Sequence, residues 1–497
     1  MPGKLQQPWP EVLVSTSETA VAVSRAMRKG TLRKLGNRLY TTNLTGSPES
    51  IVRRHLWQIV GSFVPDGLIA DRTAIENAPA ADGSVFLIAD RFRPVALPGL
   101  TIKPRKGPPP LESDRPFIGG LRLSSTARAY LENMAVSRPR EGQVGRTLTT
   151  AEIEERLETL ARRGGADALN RLRDEARAIA PELKLEDAFA RLDKLIGAIL
   201  GTREAALATP QARARQAGAP YDIDRQSLFE ALHSELRKWP PTIRRAAKRT
   251  PDESAVFAFY ESYFSNFIEG TEFEVDEAAD IVFNGHIPSA RPEDAHDILG
   301  TYRLAVDFAD NGRVPKTADE LIQLLKVRQA AVMSGRPDKN PGFFKERGNR
   351  AGGTIFVAPE LTVGTLSLGF QLYQNLDSAF ARAVFMMFLV AEVHPFDNGN
   401  GRTARLMMNA ELTAEGEERI IIPTIYRNNY LSALRALSLN AEPEPLIRTL
   451  DFAQRWTVAL EWQSVENTQH LLTTCNAFVD PNSAEERGLR LRMPSGS

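Results

Sequence analysis

The residues best suited to chemistry lie in one run, 394–405, which reads His-Pro-Phe-Asp-Asn-Gly-Asn-Gly-Arg-Thr-Ala-Arg. An imidazole such as that of His394 can take a proton near neutral pH. The glycine turn 399–401 can direct backbone N–H groups toward an anion, and such a turn entering a helix is typical of a phosphate site. The run therefore predicts a base beside a bound phosphate.

Two arginines strengthen this interpretation. Arg402 and Arg405 are three residues apart, so they share one side of the first helical turn. The helix dipole disfavours cations at that end, where Asp or Glu is usual, and an external anion would resolve the conflict. A single histidine is more often structural, but the residues that follow His394 favour a functional role.

Two predicted helices position this run. Residues 377–393 are apolar all round, which indicates a helix buried at the centre of its domain. His394 would leave the end of that rigid helix, where a base has a reproducible position. Residues 402–414 predict the next helix, closed near Gly416.

A second set of residues lies upstream, at the end of an apolar helix predicted over about 253–270. Ser265 and Glu269 are four apart and share a face, and Gly270 is a natural stop signal. The dipole repels a carboxylate in the last turn, so Glu269 needs a cation. The alternative is an ordinary helix end with an exposed glutamate.

A third segment, 352–359, is a short β-type run between a glycine pair and a proline. It includes Thr354, Ile355 and Phe356. The alternative is an ordinary β-turn.

Residues 394–405 resemble the Fic family signature, H-x-F-x-[D/E]-[A/G]-N-[G/K]-R-x-x-R, and differ from it only at Asn398. Residues 265–270 resemble the inhibitory-helix pattern of that family, [S/T]-x-x-x-E-[G/N]. The resemblance covers about 246–465. It implies a protein adenylyltransferase that moves AMP from ATP to a Ser, Thr or Tyr hydroxyl of a protein target, with self-modification among the outcomes. Transfer of another phosphate-containing group is a further alternative.

The resemblance also implies residue roles. His394 would deprotonate the target hydroxyl, and Gly399, Asn400 and Gly401 would cradle the α- and β-phosphates. Arg402 and Arg405 would bind the outer phosphates and the pyrophosphate leaving group. By the same resemblance, Phe396 would anchor the motif in the core and Tyr430 would face the nucleotide base.

Regulation and docking follow from the same resemblance. Glu269 would pair with Arg405 at the γ-phosphate position, supported by Ser265, and hold ATP in an unproductive pose. Residues 352–359 would form a flap that pairs with the target backbone, in which Thr354, Ile355 and Phe356 guide the hydroxyl toward His394.

Asn398 stands where the family carries an acid that ligates Mg²⁺, and an amide oxygen brings no charge to a hard cation such as Mg²⁺ or Mn²⁺. Three interpretations are open: an enzyme with weakened metal affinity, a nucleotide-binding domain that has largely lost catalysis, or Asp397 as the replacement ligand. We favour the first because the rest of the motif is intact.

Composition sets broader bounds. A chain of 497 residues predicts about two to four domains. Lys+Arg and Asp+Glu number 62 each, so the net charge of the chain does not indicate binding to nucleic acid or to a membrane. The single Cys475 excludes an internal disulfide framework and suits a reducing compartment. With no apolar stretch of about 18 residues, a cytoplasmic protein without membrane contact is expected.

The N-terminal 45 residues are locally basic, with seven Lys and Arg against Glu11 and Glu18. A helical stretch over 17–27 followed by 30–40 predicts a small winged helix-turn-helix and resembles AbiEi-type antitoxins. Salt-dependent DNA binding, and hence a regulator whose Fic-like part senses nucleotide, is the second functional hypothesis. The alternative is a surface helix with a basic face.

The predicted fold is mainly α, with a Fic helical core and a small β-hairpin flap. The predicted segments are a winged-helix-like region (1–45), a small α/β region (46–135), a helical connection (136–245, ending at Pro240-Pro241), the Fic domain (246–465) and a partly mobile tail (466–497). Homodimers are common in the family, so a homodimer is a further expectation.

Overall fold

The computed structural model describes residues 9–90, 93–135, 137, 142–240, 242–307 and 309–494. The chain is mainly helical with small sheets, as predicted. It divides into two compact units, Met1–Gly218 and Ala219–Ser497. No helix among the described residues is long and apolar enough to cross a membrane.

The first unit contains two sheets and eight helices within its described residues. Its strands are β1 (Val12–Val14), β2 (Arg33–Gly36), β3 (Leu39–Thr41), β4 (Leu68–Ile69), β5 (Ser84–Ile88), β6 (Val95–Leu97), β7 (Leu100–Arg105), β8 (Arg115–Pro116) and β9 (Arg122–Leu123). Its helices are α1 (Ala20–Arg28), α2 (Pro48–Arg54), α3 (Leu56–Phe63), α4 (Asp71–Glu76), α5 (Thr126–Asn133), α6 (Thr150–Leu183), α7 (Glu186–Ile199) and α8 (Pro210–Gln216), with a 3-10 turn at Ile118–Gly120.

The N-terminal sheet has the antiparallel order β1-β3-β2 and carries α1. A helix-turn-helix needs two helices, and the described residues 9–45 contain one. DNA binding by this region therefore stays a prediction. Lys4 and the other residues of 1–8 lie outside the described part of the chain.

The second sheet is mixed, with the order β6-β7-β5-β4-β9-β8. All five residues of its central strand β5 are buried, which explains the continuous apolar run in the sequence. Helices α5 to α8 share a separate apolar core. Helix α6 begins at a capping box between Thr149 and Glu152.

Within its described residues, the second unit is helical apart from one hairpin. Its helices are α9 (Ile223–Lys238), α10 (Pro251–Ile268), α11 (Val275–Ala279), α12 (Pro292–Val306), α13 (Ala318–Val332), α14 (Thr362–Tyr373), α15 (Ala379–Val393), α16 (Asn400–Ala414), α17 (Arg427–Asn440), α18 (Glu444–Val458), α19 (Val465–Thr474) and α20 (Pro481–Arg487). The hairpin strands are β10 (Arg350–Ala351) and β11 (Thr354–Ile355), and short turns lie at Asp280–Asn284, Pro337–Lys339, Pro359–Leu361 and Thr424–Tyr426.

Helix α15 lies at the centre of this unit, as its composition predicts. Val384 to Val390 are fully buried, and Ser378 caps the first turn through its side chain. Helix α9 packs against the same core through Phe229, whose ring centroid lies 6.1 Å from that of Phe385 and 6.0 Å from that of Phe388. The compact unit begins at Ala219 and so includes α9 as well as the predicted domain that starts at 246; Pro241 lies outside the described residues.

The C-terminal segment differs from the expected tail. Helices α19 and α20 bury Leu472 and Ala484, and Phe478 stacks on Phe264 of α10 with ring centroids 5.4 Å apart. The indole of Trp456 donates to the Arg492 carbonyl at 3.0 Å. Apolar contacts at helical spacing hold this segment on α10 and α18, so the prediction of a tail from 466 was wrong for residues 466–494. Residues 495–497 lie outside the described part.

Candidate functional site

His394 is the residue at which α15 ends. Its backbone is left-handed, with φ 51° and ψ 57°, which turns the chain out of the helix. Its Nδ1 lies 3.2 Å from the carbonyl oxygen of Ala391. A carbonyl can only accept, so Nδ1 carries the hydrogen and Nε2 keeps its lone pair. The structure thus gives this candidate base a defined tautomer.

The environment keeps this imidazole neutral. Burial lowers the pKa of His394 to about 4, and the nearby Lys345 ammonium adds to the effect. The hydrogen bond to Ala391 and the Glu269 carboxylate act in the opposite direction without overcoming burial. His394 is therefore unprotonated at neutral pH.

The loop after His394 is shaped by Asn400. Its Oδ1 accepts from the Phe396 N–H at 2.9 Å, and its Nδ2 donates to the Phe396 carbonyl at 2.8 Å. Phe396 itself is fully buried, as predicted for a core anchor. Gly399 adopts φ 77° and caps α16. Because Oδ1 and Nδ2 of Asn400 both bond to the loop, the backbone N–H of Asn400 is the group left for the predicted phosphate contact.

At the position where the family signature carries an acid, Asn398 offers a divalent cation no charged ligand. Asn398 Oδ1 accepts the Gly399 N–H at 2.7 Å, so the amide oxygen supports the turn. Its carbonyl accepts from Gln329 Nε2 at 3.1 Å. Asp397 is exposed, and no cluster of three or more His, Cys, Asp or Glu suited to a metal ion occurs among the described residues. We therefore assign no step to Mg²⁺ or Mn²⁺.

Arg402 is occupied by a buried ion pair. Its Nη1 lies 2.7 Å from Asp297 Oδ2 on α12, and both side chains are nearly inaccessible. The same carboxylate oxygen accepts from Arg336 Nε at 2.9 Å. The structure thus places the Arg402 guanidinium in the core, in contrast to the expectation that it contacts the outer phosphates.

Arg405 joins α16 to the end of α10. Its Nη2 lies 2.8 Å from Glu269 Oε1, and its Nε donates to Ser265 Oγ at 2.9 Å. The Ser265 carbonyl accepts a further bond from Nη2 at 2.8 Å. The two residues singled out in the inhibitory-helix pattern therefore meet the second arginine of the signature, and Ser265 acts by holding Arg405.

The Glu269 carboxylate also lies over the first turn of α16. A Cβ added to Gly401 would stand 2.1 Å from Glu269 Oε1, so the absence of a side chain at 401 makes room for the carboxylate. Burial opposes ionisation, but the charge and hydrogen bond of Arg405, followed by Arg402 and His394, hold the pKa of Glu269 below its ordinary value. An ionised carboxylate thus occupies the helix N-terminus where the sequence predicts a phosphate.

Residues 350–355 form a hairpin that overlaps the predicted segment 352–359, with Arg350 opposite Ile355 and Ala351 opposite Thr354. The Ile355 side chain points outward, and the residue is 73% exposed. Phe356, at the end of the hairpin, stacks on the His394 ring with centroids 3.8 Å apart and planes 6° apart. The hairpin therefore contacts the candidate base directly.

Comparison with known proteins agrees with this geometry. The model of the Fic/DOC family matches residues 296–412, which include the whole run from His394 to Arg405. Residues 296–412 form a Fic/DOC family domain. Protein adenylyltransferase Fic of Drosophila willistoni is 24% identical over 249 residues, which cover 48% of this chain and 47% of that protein. The chain thus spans about half the length of the curated relatives it matches.

Solved structures include similar chains. Fic-1 from C. elegans aligns over 66% of this chain and 90% of that chain, with 18% identity and a TM-score of 0.34. IbpAFic2 covalently tethered to Cdc42 aligns over 64% of this chain and 100% of that chain, with 12% identity and a TM-score of 0.29.

Tyr430 is another predicted site residue that lies in the core of this unit. Tyr430 is 1% exposed, and its hydroxyl donates to Met387 Sδ at 3.2 Å. The Tyr430 hydroxyl also contacts Arg405. In this arrangement the buried Tyr430 supports Arg405, and its contact with a nucleotide base stays a prediction.

The sequence interpretation did not anticipate Lys345 and Asn349 in the Fic domain. Lys345 Nζ donates to Asn349 Oδ1 at 2.7 Å, and the Lys345 N–H donates to the Pro395 carbonyl at 2.9 Å. Asn349 Nδ2 donates to the Phe396 carbonyl at 3.0 Å. Burial lowers the pKa of Lys345 to about 8. A lysine and an asparagine four residues apart before a hairpin were the only local signal.

Proposed function

We propose that this chain is a protein adenylyltransferase held inactive by Glu269. The Fic/DOC family domain and the adenylyltransferase relatives support the reaction class. The observation that carries the regulatory part is the position of the Glu269 carboxylate, on Arg405 and over Gly401. An anion of the protein holds the place in which an ATP phosphate would be bound.

The proposed reaction is an in-line displacement at the α-phosphorus of ATP. His394 Nε2 takes the proton of the target hydroxyl, and the oxygen forms a bond to the α-phosphorus. The bond from the α-phosphorus to the bridging oxygen breaks, and pyrophosphate leaves with that oxygen. The target then carries AMP as a phosphodiester, and the proton passes from His394 to solvent. Positioning and charge stabilisation supply most of the catalysis.

Arg405 would supply that charge once Glu269 is displaced. Its guanidinium is already oriented by Ser265, which remains a partner when the glutamate leaves. The backbone N–H groups at the start of α16 would bind the phosphates nearer the reacting centre. Arg402 would act indirectly in this scheme, because its ion pair with Asp297 anchors α16 to α12.

The proposed substrate is a protein segment with a Ser, Thr or Tyr hydroxyl. The hairpin is open at its outer edge and exposes Ile355, which suits pairing with an extended segment. A solved relative, IbpAFic2, is tethered to the protein Cdc42. By the same chemistry, an exposed hydroxyl of this chain or of a second copy is a candidate target.

One labelling experiment tests the proposal. Wild type, Glu269→Gly and His394→Ala are incubated with ATP labelled at the α-phosphate, in separate magnesium and manganese buffers, with a cell extract as the source of targets. We expect protein-bound label with Glu269→Gly, far less with wild type and none with His394→Ala. An unlabelled Glu269→Gly in both buffers would overturn the enzyme proposal, whereas equal labelling of wild type and Glu269→Gly would overturn the inhibition. Label that appears only from γ-labelled ATP would indicate transfer of another phosphate group.

The second candidate function is DNA binding by the N-terminal region. The exposed cations are Arg25 and Arg28 on α1, Lys29 at the C-cap of α1 and Lys34 on β2, and they favour an electrostatic contact with phosphates. Electrophoretic mobility shift over a range of salt concentrations tests it. A steep fall in affinity with salt would support DNA binding, and the absence of a shift at low salt would exclude it.

A further inference from the structure

The contact between the flap and the base is supported by a helix outside the matched domain. Arg225 on α9 donates from Nη2 to the carbonyl of Ile355, the residue that precedes Phe356, at 2.5 Å. Its Nε lies 3.0 Å from Glu392 Oε1. A single guanidinium therefore ties the end of the flap to α15, two residues before His394.

Glu392 is well placed to anchor this link. Its side chain is only 3% exposed, and the Ser438 hydroxyl donates to its Oε2 at 2.5 Å. Arg225 is itself largely covered, with 15% of its side chain exposed. A buried ion pair such as that of Arg225 and Glu392 holds its partners together, because breaking it leaves an uncompensated charge.

At the flap end of this link, the Phe356 ring covers one face of the His394 imidazole. A nearly parallel stack at 3.8 Å restricts rotation of the His394 ring. The hydrogen bond from Nδ1 to the Ala391 carbonyl also restrains the imidazole ring. Together, the two contacts determine the direction in which Nε2 points.

We propose that Arg225 and Phe356 are positioning residues for His394: Arg225 fixes the flap to Glu392, and the flap in turn fixes the imidazole through Phe356. This proposal rests on the proposed function for the role of His394 as a base. Its consequence is that docking of a target on the flap and placement of the base are coupled. The flap would then align the hydroxyl and the proton acceptor in one step.

The charged groups that act on His394 come from different elements. Lys345 of the loop before the flap and Glu269 of α10 have opposite effects on its pKa. Lys345 Nζ also lies 6.0 Å from the centroid of the Phe356 ring, and Arg225 acts on the pKa of Lys345, but changes at Arg225 and Phe356 remove neither Lys345 nor Glu269. Removal of the link should therefore alter the burial and orientation of the imidazole while the two charges remain.

The test combines two measurements on the full chain. Phe356→Leu and Arg225→Met are made in wild type and in Glu269→Gly, and the His394 ring is titrated by NMR in histidine-labelled protein, with His394→Gln for assignment. We expect the titration midpoint to rise from about 4 toward the ordinary histidine range, because water reaches the ring. Transfer of AMP by Glu269→Gly should fall about tenfold or more in the same variants.

Two controls separate positioning from folding. Lys238→Met removes another α9 cation, one that pairs with Glu235 on the exposed surface, and should leave both measurements unchanged. Phe356→Tyr keeps the stacked ring and should restore the wild-type midpoint. Unchanged midpoints in both Phe356→Leu and Arg225→Met would overturn the positioning proposal. If Glu269→Gly transfers no AMP, the proposed function fails, while the titration still decides whether the link positions the ring.

Discussion

Arg405 Nη2 and Glu269 Oε1 lie 2.8 Å apart across 136 residues of sequence, at the point where α10 ends and α16 begins. Each residue is unfavourably placed with respect to its own helix dipole, since the cation stands in the second turn from the N-terminus of α16 and the carboxylate stands at the C-terminus of α10. Their contact resolves both conflicts. The same contact occupies the phosphate site that the sequence predicts.

Replacement of Glu269 by glycine should therefore tighten nucleotide binding. The loss of the carboxylate leaves Arg405 free for a phosphate and opens the space above Gly401, so we expect the Kd for ATP to fall about tenfold or more. Isothermal titration calorimetry measures it. Glu272→Gly, a nearby acid that does not face Arg405, serves as the control and should bind ATP as wild type does. Equal affinity in wild type and Glu269→Gly would contradict competition between the carboxylate and the phosphates.

The pH dependence of transfer should follow the depressed pKa of His394. Because burial favours the neutral imidazole, the base is fully available above about pH 5 and is lost as pH falls through about 4. Protonation of His394 should therefore not slow transfer by the Glu269→Gly variant between pH 8 and pH 6. A half-maximal rate near pH 6.5 would mean that the imidazole is solvated in the active state.

Asn398→Asp restores a carboxylate at the position where the Fic signature carries an acid. An aspartate can still accept the Gly399 N–H, so the turn should persist, and the added charge should favour Mg²⁺. In the Glu269→Gly background we expect faster transfer and a lower magnesium requirement, measured by labelling over a magnesium titration. Asp397→Asn is the matched control. If the rate depends on Asp397 and is unchanged by Asn398→Asp, then Asp397 is the metal ligand.

Arg402→Leu should destabilise the second unit more than it affects nucleotide contact. It leaves Asp297 buried with Arg336 as its remaining charged partner, at a cost of about 3 kcal/mol. Thermal unfolding measures the loss as a Tm several degrees lower. The double variant Arg402→Leu/Asp297→Leu removes both charges and should recover much of the stability. If Arg402→Leu has the wild-type Tm but no longer binds ATP, then Arg402 contacts the phosphates as the sequence predicts.

The sequence by itself determined the features that depend on neighbours along the chain. Apolar residues at helical spacing predicted the buried helix before His394, and Gly399 and Gly401 predicted the turn after it, because both signals are local. The Ser265 to Glu269 spacing predicted one helical face by the same rule. Family resemblance then supplied Arg405 as the partner.

Only the tertiary structure decided which partners the charged and aromatic side chains meet. Asp297 lies 105 residues before Arg402, and Arg225 lies 130 residues before Ile355, so no periodicity links them. Tyr430 reads as a site residue in sequence, yet packing against α15 makes it part of the core. Local patterns state which face of an element is apolar, whereas long-range packing selects the side chains that touch across that face.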